Sequence, residues 1–287
     1  MRYRSATVAG FHGLPCCRKK LKKNVGRATF LDRSFLSKKN HINESSYDDM
    51  SLAYRRPAPT LDPMSKPVST MTEAEIALRR TLAERMVIID GAMGTTIRTY
   101  NITEAQARGE RFKHAPKDLK NNGDIYSLTR PDEISDIHRR FLDAGADIIE
   151  TNTFSATAIG QSEFFVEDPR EKGGKKTPAF YQEVIENKFL QELAHDINFH
   201  SARQCRICAD RAAAQTGRRR YVAGAIGPLT VSLSNSPDAD DAGFRVGTFD
   251  QCKADYRRQL RSLSAGGLDL LVVENIFDSL NATAALV

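Results

Sequence analysis

An α/β fold built on parallel strands is what this sequence predicts, and three observations predict it. Short, nearly continuous apolar runs alternate with amphipathic helical stretches, the pattern of strands that helices cover on a parallel sheet. Residues 144–150 and 265–274 repeat one another, each with a helix-ending glycine (Gly145, Gly266), an entering Asp, an apolar strand and a terminal Glu. Asp147 to Glu150 and Asp269 to Glu274 are both odd separations, so each Glu bears the same facial relation to its Asp. Third, the strands end in polar residues, as the strands of a parallel (β/α)8 barrel of the TIM type do at its mouth. About the first four of the eight strands are expected here.

The elements follow in order. Thr72 as N-cap, with Glu75 three residues on, predicts a helix of about three turns whose apolar positions are Ile76, Leu78 and Leu82. Met86-Val87-Ile88-Ile89 then reads as a first buried strand, closed by the turn at Asp90-Gly91. Pro131 at a first helical position precedes Asp132 and Glu133, with Ile134, Ile137, Phe141 and Leu142 on one face. Gly145 ends that helix and residues 146–152 form a second strand. A third strand spans 221–226, stopped by Gly227-Pro228, and a fourth 268–274, preceded by a helix with Tyr256, Leu260 and Leu263 inward. Between them lie a polar surface loop at 171–176 and a long helical region from about 179 to 214.

The net charge is +6, but residues 1–60 hold six Lys and seven Arg against four acids, an excess of nine, so the remainder carries −3. Nothing in that acidic body argues for nucleic acid. No apolar run reaches the length of a membrane-spanning helix. Five cysteines, an odd number, make no disulfide framework and fit a reducing, cytoplasmic setting. Residues 1–70, basic and Pro-rich, read as a disordered extension ahead of a domain over 71–287. Their scarcity of acids up to residue 43 is also that of an organelle transit peptide.

Asp90, Glu150, Thr151, Asn152 and Glu274 are the polar residues that finish strands, and the three carboxylates, from separate strands and converging on one mouth, could hold an ammonium group or steer a proton. Gly91 and Gly94, directly after the first strand, let backbone N–H groups approach a ligand. No Lys precedes Thr95, which excludes a P-loop. Cys205 and Cys208 stand at C-x-x-C spacing but read as ordinary helix positions, and no metal site emerges from the cysteines and histidines present.

Five blocks occur in order: Asp90-Gly91-Ala92-Met93-Gly94-Thr95, Arg108-Gly109-Glu110-Arg111-Phe112, residues 146–154, residues 222–228 and Glu274-Asn275-Ile276-Phe277-Asp278. Together they resemble the homocysteine-binding barrel of the cobalamin-dependent methionine synthases, over about residues 82–287. The resemblance implies a zinc-dependent domain that binds homocysteine, lowers its thiol pKa by coordination and presents the thiolate to methylcobalamin, giving methionine. It implies that Asp90, Gly91, Thr151 and Glu274 line the homocysteine pocket, with Glu150 and Asn152 beside them. In that family three cysteines beyond the fourth strand hold the zinc, and this chain reaches Val287 before any of them. The implied expectation is a fragment inactive alone, with folate and cobalamin modules downstream. The stretch at 168–177 is longer than the family usually carries. Cobalamin-independent enzymes, using betaine or a sulfonium donor, share the barrel, but the Arg108 block favours the cobalamin enzymes. A non-catalytic remnant with a polyanion-binding basic tail is the remaining reading.

Overall fold

The computed structural model describes residues 71–287. The expected disordered extension over 1–70 lies outside the described residues.

Helix α1 (Glu73–Glu84) starts at Thr72, whose hydroxyl accepts the Glu75 N–H at 3.1 Å, satisfying one of the unpaired donors of the first turn. Its contact face differs from the expected one. Ile76 and Leu82 are exposed, while Ala77 and Leu78 pack beside Ile148, Tyr221 and Ala223.

Strands β1 (Ile148–Glu150), β2 (Tyr221–Ile226) and β3 (Leu270–Val273) form a parallel sheet in the order β1-β2-β3. Ile148 pairs with Tyr221, and Ala223 with Leu270. The expected first strand is reduced to a single parallel bridge between Ile89 and Ile148, where the Asp90 N–H donates to the Ile148 carbonyl at 2.9 Å. Four strands are therefore corrected to three plus one bridged segment, and the described residues form an open sheet rather than a closed barrel. The bridged segment pairs on one side only, which leaves Met86 at 88% and Ile88 at 58% exposure. Leu271, on β3 at the other edge, is exposed as well.

Side chains alternate across the sheet. On one face Ile149 and Val222 meet Leu142, Cys205 and Ala209, contributed by α5 (Pro131–Asp143) and α8 (Lys188–Thr216). Ile226 joins Tyr256 and Leu263 of α9 (Phe249–Gly266). All six residues of β2 are buried, as a central strand requires. The long helical region expected from 179 is two helices, α7 (Pro178–Glu186) and α8. Asn187 separates them and caps α8 by accepting the Leu190 N–H at 3.1 Å.

The repeat seen in the sequence has a structural counterpart at the entry ends of the strands. Asp147 accepts the Ile88 N–H at 3.1 Å and Asp269 the Val222 N–H at 2.9 Å, so each entering Asp clamps the backbone of the neighbouring segment. Gly145, with φ 108°, turns the chain after α5 as expected. The second repeat corrects the reading of Gly266. That residue is still helical, and the left-handed cap is Gly267 at φ 99°. What Gly266 supplies is closeness: a Cβ there would stand 2.6 Å from the Ala202 Cβ and 2.7 Å from the Phe199 carbonyl oxygen on α8. Gly266→Ala is expected to lose about 1–3 kcal/mol by overpacking, read as a lower urea midpoint with an unchanged m-value.

Candidate functional site at the strand ends

The carboxyl ends of the strands gather the acids that the sequence singled out. Asp90 follows the bridged segment and accepts the Glu150 backbone N–H with both oxygens at 3.1 Å. Glu150 ends β1, and Glu274 directly follows β3, its N–H bonded to the Ile226 carbonyl at 3.0 Å. Burial pushes the Asp90 carboxyl up to about 7, with Glu150 and Glu274 adding repulsion. Glu150 is likewise raised to about 7 by burial and the charge of Glu274, and burial raises Glu274. Mutual repulsion places the three in one electrostatic neighbourhood. Among the described residues none of the three is ion-paired to a basic side chain, whereas Asp147 and Asp269 both are. A half-buried cluster of this kind favours a cation that brings its own hydrogen-bond donors.

Two left-handed backbone positions flank these acids. Ala92, two residues after Asp90, has φ 45°, and Asn275, immediately after Glu274, has φ 55°. Such conformations in non-glycine residues store strain and turn the chain sharply at the strand end. A Cβ at Gly91 would meet nothing within 4 Å, so the backbone beside Asp90 faces open space.

Thr151 and Asn152 are placed differently. The Thr151 hydroxyl accepts the Ala225 N–H at 3.0 Å and lies 2.7 Å from the Thr153 hydroxyl, which donates to the Ala225 carbonyl at 2.8 Å. These bonds fasten the end of β1 to β2. The Asn152 amide donates to the Gly123 carbonyl at 2.8 Å and to Ser127 at 3.3 Å, while its backbone N–H donates to Ser201 at 2.8 Å. Both side chains are buried, and the Thr151 hydroxyl and the Asn152 amide N–H groups are used within the fold.

Sequence reasoning missed Asn122, Gly123 and Asp124. Asp124 is buried and accepts the Ser155 N–H at 2.9 Å. Its signal in the sequence was a turn-forming cluster, which says nothing about burial. Arg108, the first residue of the block expected to mark the cobalamin enzymes, donates to the Ala115 carbonyl at 2.7 Å and the Lys117 carbonyl at 2.9 Å. It orders its own loop. The stretch at 171–176, expected to be surface, buries Lys176 against Glu163 at 2.7 Å. A hollow of about 570 Å³ lies beside it, lined in part by Lys176, Tyr181, Asn235 and Phe244 and by none of the strand-end acids.

Zinc does not fit the described residues. They contain no group of three or more His, Cys, Asp or Glu side chains able to hold a metal. Cys205 donates to the Ile149 carbonyl at 3.6 Å on the helix-covered side of the sheet, and burial pushes the Cys252 thiol up to about 12. Both read as core positions, as expected. No described helix is long and apolar enough to cross a membrane.

Residues 87–287 match the homocysteine S-methyltransferase family. The chain belongs to that family. The matched region carries all three strand-end acids and every strand of the sheet. Among solved structures, the metallated form of the homocysteine methyltransferase MmuM from Escherichia coli is 18% identical, with a TM-score of 0.49 over 72% of this chain and 60% of that one. The oxidized form of the same protein gives 18% identity and a TM-score of 0.49 over 72% of this chain and 59% of that one. This chain thus spans about 60% of the length of those structures.

Because Asp90, Asp124 and Glu150 are raised to about 7, the folded chain binds more protons than the unfolded chain between the ordinary carboxylate range and neutrality. Stability therefore falls as pH rises through that interval. A thermal midpoint higher at pH 5.5 than at pH 8 is the expected result in a scan at constant ionic strength.

Proposed function

We propose that this chain is the homocysteine-binding part of a homocysteine S-methyltransferase of the methionine synthase type, and that the strand ends hold the amino-acid end of the substrate. The observation that carries the reading is the acid cluster of Asp90, Glu150 and Glu274, free of a basic partner among the described residues, inside the family-matched region. The α-ammonium of homocysteine supplies the missing positive charge and three donors. Gly91 leaves room for the amino-acid backbone, and Thr151 acts through the backbone, fixing β1 against β2 so that Glu150 faces the ligand. The sheet is the opening portion of a (β/α)8 barrel in this reading.

The overall reaction breaks the bond between the methyl group and its donor, which keeps the electron pair, forms an S–CH3 bond on homocysteine and releases the thiol proton. The described residues offer no ligand set for zinc, so no step is assigned to a metal in this chain. Purified chain is expected to hold no stoichiometric zinc and to be inactive alone; a chelator-sensitive equivalent of metal would remove that expectation. Methylcobalamin as donor, with folate and cobalamin modules as partners, rests on the block from Arg108 to Phe112, and no described residue is assigned a contact with it.

Calorimetric titration of the 287-residue chain with L-homocysteine tests the reading. Saturable one-to-one binding is expected, stronger at pH 8 than at pH 6, because the acids must ionise to hold the ammonium. Absence of binding at millimolar ligand, or equal binding of the des-amino thiol acid, would sink it.

A further inference from the structure

The loop that leaves β1, residues 151–157, is held by groups from several elements. Asp124 sits in the 3-10 turn Gly123–Ile125 and accepts the Ser155 N–H at 2.9 Å, with the Phe154 N–H as a second donor. The Gly123 carbonyl accepts from Asn152 at 2.8 Å. Asn122 donates at 2.8 Å to Gln161, whose own amide lies 3.5 Å from Asp124. From the opposite side Asn198 donates to the Ala156 carbonyl at 2.5 Å and Gln259 to the Thr153 carbonyl at 2.8 Å. Asp124 is the charged group at the 152–155 end of the loop, and no basic side chain among the described residues pairs with it; at the far end the buried Asp255 bonds Thr157 and accepts the Ala158 N–H at 3.1 Å and the Ile159 N–H at 2.7 Å.

A buried carboxyl spent on two backbone donors of one loop is an expensive device unless the loop conformation matters. What that conformation sets is the position of Phe154. Its carbonyl accepts the Gly227 N–H at 3.0 Å, and its ring lies so close to Gly227 that a Cβ there would stand 2.8 Å from it. The ring is 37% exposed, four residues along the chain from Glu150.

We propose that Asp124, seated on the turn it shares with Asn122 and Gly123, is a positioning residue that holds the 151–157 loop so that Glu150 and the ring of Phe154 are set beside the substrate. The placement of a substrate there rests on the function proposed above. The hold on the loop does not. A carboxyl whose pKa lies near 7 when the loop is closed over it, and in the ordinary range when solvated, favours the closed loop while protonated. Deprotonation loosens it, which offsets only part of the gain in ammonium binding from ionising Glu150 and Glu274 between pH 6 and pH 8.

Hydrogen exchange of the 287-residue chain, read by mass spectrometry without ligand, tests this. Asp124→Ala leaves the Phe154 and Ser155 donors unpaired, and at pH 6 it is expected to speed exchange of the 151–157 peptide about tenfold while the α8 peptides keep their protection. Asp124→Asn retains one acceptor oxygen and is expected to stay near wild type at pH 6. In wild type, loop exchange corrected for its intrinsic pH dependence should accelerate as pH passes about 7, and in the Asn variant that acceleration should shrink to what Asp255, whose carboxyl burial also raises, contributes through Thr157. If the Ala variant does not fold, the wild-type and Asn pH series decide. Loop protection unchanged in Asp124→Ala, or the same pH dependence in Asp124→Asn as in wild type, would overturn the proposal. Homocysteine titration of the same samples separates the two claims: a loop that depends on Asp124 in a chain that binds no homocysteine leaves the positioning role standing and removes the substrate reading.

Discussion

Replacing both Glu150 and Glu274 by glutamine is expected to weaken homocysteine binding about 100-fold at pH 8, on the scale of charge-assisted hydrogen bonds lost from a partly desolvated site. Each single substitution should cost less than half of that in free energy. Removing one acid relieves repulsion on the others and lets them ionise more readily, since Glu150 and Asp90 both feel Glu274. The two effects are therefore coupled rather than additive. The same double variant should be more stable than wild type at pH 8, because it deletes two half-buried charges that repel. Opposite movements of affinity and thermal midpoint identify a binding site; a parallel loss of both would mean that the glutamates serve the fold and not the ligand. The pH profile supplies an internal check, because the rise in affinity from pH 6 to pH 8 should flatten in the double variant.

Which parts of the molecule were legible in the sequence depends on whether the deciding interactions are local. Apolar period and turn chemistry report burial along one element, and β2 with α5 and α9 came out where Tyr221, Ile134 and Tyr256 placed them. The strand-end acids were legible for the same reason: Glu150 and Glu274 close apolar runs that continue directly into charge. Met86 to Ile89 has the composition of a buried strand, yet it has a partner on one side only, and pairing is a property of the neighbours. Asn152 and Thr151 share a strand end with Glu150, and nothing in their order tells that a serine on α8 takes the Asn152 backbone N–H and that the Ala225 N–H takes the Thr151 hydroxyl. Asp124 was invisible because its partners lie about 30 residues away along the chain. Gly266 was read as the glycine that ends its helix because glycine has two uses, and distinguishing close approach from positive φ needs the facing helix.

Asp147→Ala is expected to be the most damaging single substitution in the fold, at about 3–5 kcal/mol. The carboxylate is almost fully buried and takes paired bonds of 2.7 Å from Arg85, with Arg220 at 3.2 Å and Arg218 at 3.3 Å. Arg220 is itself buried, so the alanine variant leaves its guanidinium without an acid partner and with the Ala146 carbonyl, at 3.1 Å, as an acceptor. Removing one partner of a buried pair costs more than the pair contributes, because the orphaned charge keeps its desolvation penalty. The Ile88 N–H loses its acceptor as well, and with it part of the connection between β1 and the segment that carries Asp90. Arginine hydrogen bonding lowers the Asp147 pKa, so its contribution is fully present at neutral pH and is lost only as pH falls below the ordinary carboxylate range. Urea unfolding at pH 7 measures the cost. Asp147→Ala combined with Arg220→Met should recover part of it by removing the stranded charge; a double variant no more stable than the single one would show that the backbone bond to Ile88, and not the ion pair, is what Asp147 contributes.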